Sequence, residues 1–216
     1  MGKVIFFDMD GTILDTEKHY RRCWVQAAAD VGYTMTDEFA LSLRSLGRPY
    51  APEKINKLYN DENAYYRIRT RRMELVNKVL EDKGIELKPY ARESLRILKD
   101  RGHSLVIATA TDYERTEKYL KQIELFDYFT NIVCATMVEH GKPAPDIYQY
   151  AAAQMKMAPE DTYAVEDSPN GVTSAYKAGC KTIMIPDQTQ PDDEICKCLY
   201  HKCDNLMELT KLEDFL

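Results

Sequence analysis

Two hydrophobic rhythms alternate along the chain. Residues 3–8 (K-V-I-F-F-D) form a short continuous apolar run closed by an acid, the pattern of a central parallel strand buried on both faces. Residues 104–108, 131–135, 163–166 and 181–185 repeat that pattern, each followed by polar, Gly or Pro residues. Between them, 90–101, 112–123, 146–157 and 170–178 carry amphipathic patterns, several opened by Pro or Asp and closed by Gly102 or Gly179, which predict helices. Strand–helix alternation from residue 89 to about 190 predicts an α/β fold with a doubly wound parallel sheet.

Residues 16–88 break the rhythm. They contain no β-branched run, and their apolar positions recur at three and four: Tyr20, Trp24, Ala27, Ala28 and Val31, then Ile68, Leu75, Val76, Val79 and Leu80. This predicts an all-helical insertion directly after the first strand. Its two ends return to one edge of the sheet, so it hangs over the carboxyl ends of the strands, where open α/β sheets bind ligands. The expected organisation is a Rossmann-like core of residues 1–15 and 89–216 with a helical cap domain of residues 16–88. Arg67, Arg69, Arg71 and Arg72 read as a solvated helix face.

Composition narrows the function classes. A chain of 216 residues, 44% hydrophobic, can bury a full core, and 29 Lys+Arg against 35 Asp+Glu give a formal charge of -6 that repels nucleic acid and anionic membrane. No stretch approaches the roughly 18 apolar residues that cross a bilayer, and no signal-peptide pattern opens the chain. A soluble cytoplasmic protein is expected, with neither nucleic acid nor membrane as partner. The six cysteines are scattered, as suits reduced thiols. Cys196, Cys198, His201 and Cys203 lack paired zinc knuckles and read as small residues on one exposed helix.

The chemistry stands at the predicted strand ends. Asp8 and Asp10 close the first, Thr109 the second, Glu166 and Asp167 the fourth, and Lys142 opens a helix after Gly141. Each has a bland reading: a turn at Asp10–Gly11, caps at Thr109 and Asp167, a surface lysine. Together they place several carboxylates and one amine in a single pocket. Two carboxylates about 4 Å apart repel by roughly 4 kcal/mol at an effective dielectric near 20, so the pocket needs a divalent cation. Carboxylate oxygens without nearby His or Cys favour Mg²⁺, which readily takes a phosphate oxygen as ligand. Asp8 then attacks phosphorus to give an aspartyl phosphate, and Asp10 protonates the leaving oxygen and later deprotonates water. Thr109 and the backbone N–H groups of Met9, Gly11 and Ala110 are placed to hold the non-bridging oxygens.

The segments F-F-D-M-D-G-T at 6–12, A-T-A-T at 108–111, G-K-P-A-P-D at 141–146 and V-E-D-S-P-N-G at 165–171 resemble the four ordered motifs of the haloacid dehalogenase superfamily of phosphohydrolases. The helical insertion, S-L-R-S-L-G-R at 42–48 and the E-D form of the last motif are similar to its β-phosphoglucomutase-like branch. The resemblance implies that Asp8 is the nucleophile and Asp10 the acid/base, with Thr109 and Lys142 as phosphate ligands. It implies a Mg²⁺ site of Asp8, the Asp10 carbonyl, Glu166 and Asp167, a closing cap, and a monomer. Arg48 and Arg44 fall where the branch grips a sugar phosphate. Two departures weigh against mutase activity. Tyr20 stands where the mutases carry a histidine, His19 being about 100° away around the helix, and Asp112 stands where they tend to carry a lysine.

The leading expectation is therefore a Mg²⁺-dependent phosphatase of small phosphorylated metabolites, sugar phosphates foremost, with a phosphosugar mutase second. A non-enzymatic phospho-accepting receiver is third, since it has no use for the insertion or for an acid two positions past the phosphorylated Asp. Asp15 and Thr16 read as the N-cap of the first cap helix.

Overall fold

The structure, a computed structural model, describes residues 2–216. Strands β1 (Val4–Phe7), β2 (Ser104–Thr109), β3 (Asn131–Cys134), β4 (Thr162–Glu166), β5 (Lys181–Met184) and β6 (His201–Lys202) form one parallel sheet in the order β3-β2-β1-β4-β5-β6. The fold is the doubly wound α/β architecture. The period of two along each strand divides the core between the faces. Ile5, Phe7, Leu105, Ile107 and Val165 pack under Leu95, Leu98 and Leu120 of α5 (Ala91–Asp100) and α6 (Tyr113–Gln122). Val4, Phe6, Val106, Ala108 and Ala164 pack against α7 (Asp146–Gln154) and α8 (Pro169–Ala178).

β1 lies between β2 and β4, in register Phe7 to Ile107 on one side and Phe7 to Val165 on the other. The strand order reverses at β1, so the crevice of the sheet opens beyond its carboxyl end, where Asp8 and Asp10 follow. The first residues after β1, β2 and β4 are thereby brought together although distant in sequence.

Helices α1 (Glu17–Asp30), α2 (Asp37–Leu41), α3 (Tyr50–Tyr59) and α4 (Ala64–Lys83) come between β1 and β2. They enclose a hydrophobic cluster of their own, with Trp24, Ala27, Leu43, Ile55 and Ile68 at its centre. Two extended connections join it to the sheet side by side: Asp15 N–H donates to Glu86 O at 2.8 Å and Lys88 N–H to Ile13 O at 2.8 Å.

Two expectations need correction, for the tail and for the cap arginines, and the bland alternative for Asp167 falls away. The tail is not one exposed helix: after the short α9 (Asp193–Cys196) the chain turns into β6, which pairs with β5, and Cys203 is buried. A two-residue edge strand carries no periodicity to read. Asp167 is not the cap of α8; that cap is Ser168, whose Oγ accepts from Gly171 N–H at 3.2 Å. The four cap arginines do not share one solvated face. Arg67 and Arg71, four apart, pair outward with Asp61 and Asp30, whereas Arg69, still exposed, and Arg72, three apart, line the cavity between cap and sheet. Among the described residues no helix is long and apolar enough to cross a membrane.

Candidate active site

Asp8 is fixed by its own backbone, whose N–H donates to Val165 O at 3.0 Å. Its side chain is buried, and Oδ1 accepts from Lys142 Nζ at 2.6 Å. The same amine donates to Glu166 Oε1 at 2.6 Å and to Ala108 O at 2.9 Å, so Lys142 is no surface lysine but a fully enclosed cation bridging the ends of β1, β2 and β4. Burial works against its charge, yet Asp8 and Glu166 hold its pKa above the ordinary lysine value. Burial raises Asp8 to about 7, against the pull of Lys142.

Asp10 faces elsewhere. Thr16 Oγ1 donates to its Oδ1 at 2.6 Å and Thr111 Oγ1 to its Oδ2 at 2.8 Å. Burial raises its pKa, and the two hydroxyls oppose that rise. The turn between the acids depends on Gly11, at φ +88°, where a Cβ would stand 2.3 Å from Asp167 Oδ2. Gly11 is not the free phosphate donor its position suggests, because its N–H is engaged by Leu14 O at 2.8 Å. The N–H groups of Met9 and Ala110 have no acceptor among the described residues and remain available. Thr109 is buried at the end of β2, its Oγ1 accepting from Thr111 N–H at 3.1 Å.

Carboxylate oxygens of Asp8, Glu166 and Asp167 lie within 4.8 Å of one another. Asp8 Oδ2 and both carboxylate oxygens of Asp167 are buried without a hydrogen-bond donor. Anionic oxygens left bare in this way are costly unless a cation faces them, so the donor set fits a hard divalent ion. Glu166 differs: its Oε1 already takes Lys142 and, at 2.5 Å, the hydroxyl of Tyr148 on α7, leaving Oε2 the less engaged. Gly171 gives it room, since a Cβ there would sit 2.0 Å from Oε2. Burial raises Asp167 well above the ordinary carboxylate range, with Arg44 opposing.

A cavity of about 140 Å³ lies between these groups and the cap. Asp8, Asp10 and Thr109 line it from the sheet, Tyr20, Arg48 and Arg72 from the cap. Arg48 stands exposed at its rim. Arg44 also lines the cavity, but it is buried, its Nε 3.5 Å from Asp167 Oδ2 and its Nη2 donating to Thr189 Oγ1 at 2.6 Å. Tyr20, not His19, reaches the cavity, and the Arg72 guanidinium lies 4.1 Å from the Trp24 ring centroid. Asp112 caps α6 and pairs with Arg115 at 3.3 Å.

Sequence reasoning missed Thr16, Thr111, Glu17, Tyr148 and Arg72. Thr16 makes no side-chain capping bond; its hydroxyl goes to Asp10 instead. Glu17, one residue on, lines the cavity, and burial, with Asp10 nearby, pushes it up to about 8. Only the pattern of a polar residue flanking the D-x-D turn could have pointed to either.

Residues 5–185 match the family described as haloacid dehalogenase-like hydrolase. The chain belongs to that family. Among its relatives, a phosphorylated carbohydrates phosphatase of Thermotoga maritima is 28% identical over 84% of this chain and 83% of its own length. The β-phosphoglucomutase of Bacillus subtilis is 27% identical over 88% and 85%. The CbbY protein of Rhodobacter sphaeroides, solved in complex with xylulose-(1,5)bisphosphate, is 26% identical with a TM-score of 0.82, over 100% of this chain and 99% of that one. This haloacid dehalogenase-like hydrolase thus resembles β-phosphoglucomutase-like enzymes over both sheet and helical insertion.

Proposed function

We propose that the chain is a Mg²⁺-dependent phosphatase of small phosphorylated metabolites, sugar phosphates foremost. One observation carries the reading: a buried lysine clamps Asp8 to Glu166 beside three donor-less carboxylate oxygens, beneath a cap-lined cavity. Asp8, the Asp10 carbonyl, Glu166 and Asp167 would hold the ion, which neutralises charge on the phosphoryl oxygens and on the acids around it.

The remaining work falls to the chain. A carboxylate oxygen of Asp8 forms a bond to phosphorus as the ester P–O bond breaks, and Asp10, whose pKa burial raises, gives its proton to the leaving oxygen. Thr109 and the N–H groups of Met9 and Ala110 bind the non-bridging oxygens as charge gathers there, and the Lys142 ammonium, its three donors held by Asp8, Glu166 and Ala108, adds its positive charge beneath them. Water then attacks phosphorus, Asp10 takes its proton, and the acyl phosphate P–O bond breaks to return the Asp8 carboxylate and release phosphate. Residues 16–88 act as the cap over a core of 1–15 and 89–216, with Arg48 at the rim meeting the substrate. The protein works as a monomer in the cytoplasm on a diffusible substrate.

Incubation with p-nitrophenyl phosphate, then with hexose, pentose and polyol phosphates, in Mg²⁺ tests this. Repeated release of phosphate is expected. A single labelling without turnover would make the chain a phospho-acceptor. Conversion of a hexose 1-phosphate to its 6-phosphate, dependent on a trace of sugar bisphosphate and without phosphate release, would make it a mutase.

A further inference from the structure

The cap meets the sheet domain where two segments of one pattern, glycine, basic residue, proline, come together: Gly47, Arg48 and Pro49 in the cap, and Gly141, Lys142 and Pro143 before α7. Their backbones exchange two hydrogen bonds. Gly47 N–H donates to Lys142 O at 2.8 Å, and Gly141 N–H donates to Arg48 O at 2.7 Å. The approach is so close that a Cβ built on Gly47 would stand 2.6 Å from Gly141 Cα, and one on Gly141 would stand 2.7 Å from Gly47 Cα. Neither glycine has a left-handed φ, so the backbone of each accepts alanine, and the nearest obstacle to each added methyl is the opposing segment alone.

We propose that Gly47 is a positioning residue, coupling the seating of the cap to the placement of Lys142. The proposal rests on the phosphatase reading above. The bridge grips the Gly141 N–H and the Lys142 carbonyl, bracketing the backbone from Gly141 to Lys142, while the Lys142 amine grips Asp8, Glu166 and Ala108 at the other end. The same bridge fixes the carbonyl of Arg48, whose side chain lines the cavity. Seating the cap therefore sets one basic group under the phosphoryl position and another at the rim in a single event. A methyl at either glycine drives the segments apart by about 1 Å, a displacement of the size that costs up to roughly a hundredfold in rate when it reaches a catalytic group.

The test is a cycle of Gly47→Ala, Gly141→Ala and the double variant, each in the full chain. Expected are melting temperatures close to wild type, kcat/KM down roughly ten- to a hundredfold in each single variant, and weaker binding of inorganic phosphate by calorimetry. Because both methyls break one bridge, the double variant should lose little more than the worse single. Wild-type kinetics in Gly47→Ala, losses that multiply in the double variant, or a melting temperature tens of degrees lower would each overturn the proposal. A wild-type chain that turns over no phosphomonoester, with phosphate binding still weakened by Gly47→Ala, would reject the catalytic reading and leave the coupling standing.

Discussion

Replacing Lys142 by methionine keeps most of the side-chain volume and removes the only buried ammonium of the site. Its nitrogen lies 2.6 Å from Asp8 Oδ1 and 2.6 Å from Glu166 Oε1. Without it, Asp8, Glu166 and Asp167 face one another with oxygens within 4.8 Å, each pair repelling by about 3.5 kcal/mol at an effective dielectric near 20. Breaking a buried pair by removing one partner costs about 3–5 kcal/mol. At about 2–4 °C per kcal/mol for a chain of this length, Lys142→Met in EDTA near pH 8 should melt roughly 10 °C below wild type. The deficit should shrink toward pH 5, where Asp8, already raised to about 7, takes a proton and the repulsion falls. Added Mg²⁺ should recover stability but not turnover, since the ion replaces the neutralising charge and not the N–H donors that hold Asp8 in place. Differential scanning calorimetry at both pH values, with and without metal, gives the four curves. A Lys142→Met protein melting within about 2 °C of wild type in EDTA at pH 8 would show that the buried bridge is not what holds the acids together.

Asp10→Asn should slow alkyl phosphates far more than p-nitrophenyl phosphate, whose leaving group needs little protonation; equal losses would give Asp10 another role. Thr16→Val and Thr111→Val each remove a donor that lowers the Asp10 pKa, so the alkaline limb of the kcat/KM profile should move up; an unmoved limb would sever the threonines from Asp10 chemistry. Asp8 and Glu17 have folded pKa values raised to about 7 and about 8, so they bind protons more tightly when folded. The stability this gives is complete below the unfolded carboxylate values near 4 and is lost as pH rises through 7 to 8. Melting of the metal-free protein should therefore fall between about pH 4 and 8, and saturating Mg²⁺ should flatten the slope; a rising curve without metal would contradict the assignment.

The strands were readable because a parallel strand buried on both faces leaves an unbroken apolar run, as at 4–7 and 104–109. The site followed from them, because acids directly after such runs must converge at one end of the sheet. What stayed hidden depends on which way a side chain turns. Thr16 sits where a capping residue belongs, and only the fold shows its hydroxyl bonded to Asp10 instead. Arg72 differs from Arg71 by one helical step, yet it stacks on Trp24 while Arg71 meets Asp30. Arg44 lies in the expected segment but turns to Asp167. Tyr148 looks like an ordinary core aromatic of α7 until Glu166 is seen beneath its hydroxyl. In the sequence Gly11 offers an N–H, whereas the structure uses its missing side chain.

The central claim is that phosphorus bonds to Asp8 during turnover. Rapid acid quench of the protein with substrate and Mg²⁺, followed by proteolysis and mass spectrometry of the peptide containing residues 4–18, addresses it directly. The account predicts a phosphoryl adduct on Asp8 that decays with the turnover rate and is absent from a folded, inactive Asp8→Asn variant. Full turnover with no adduct at any quench time, or undiminished turnover in Asp8→Asn, would contradict it.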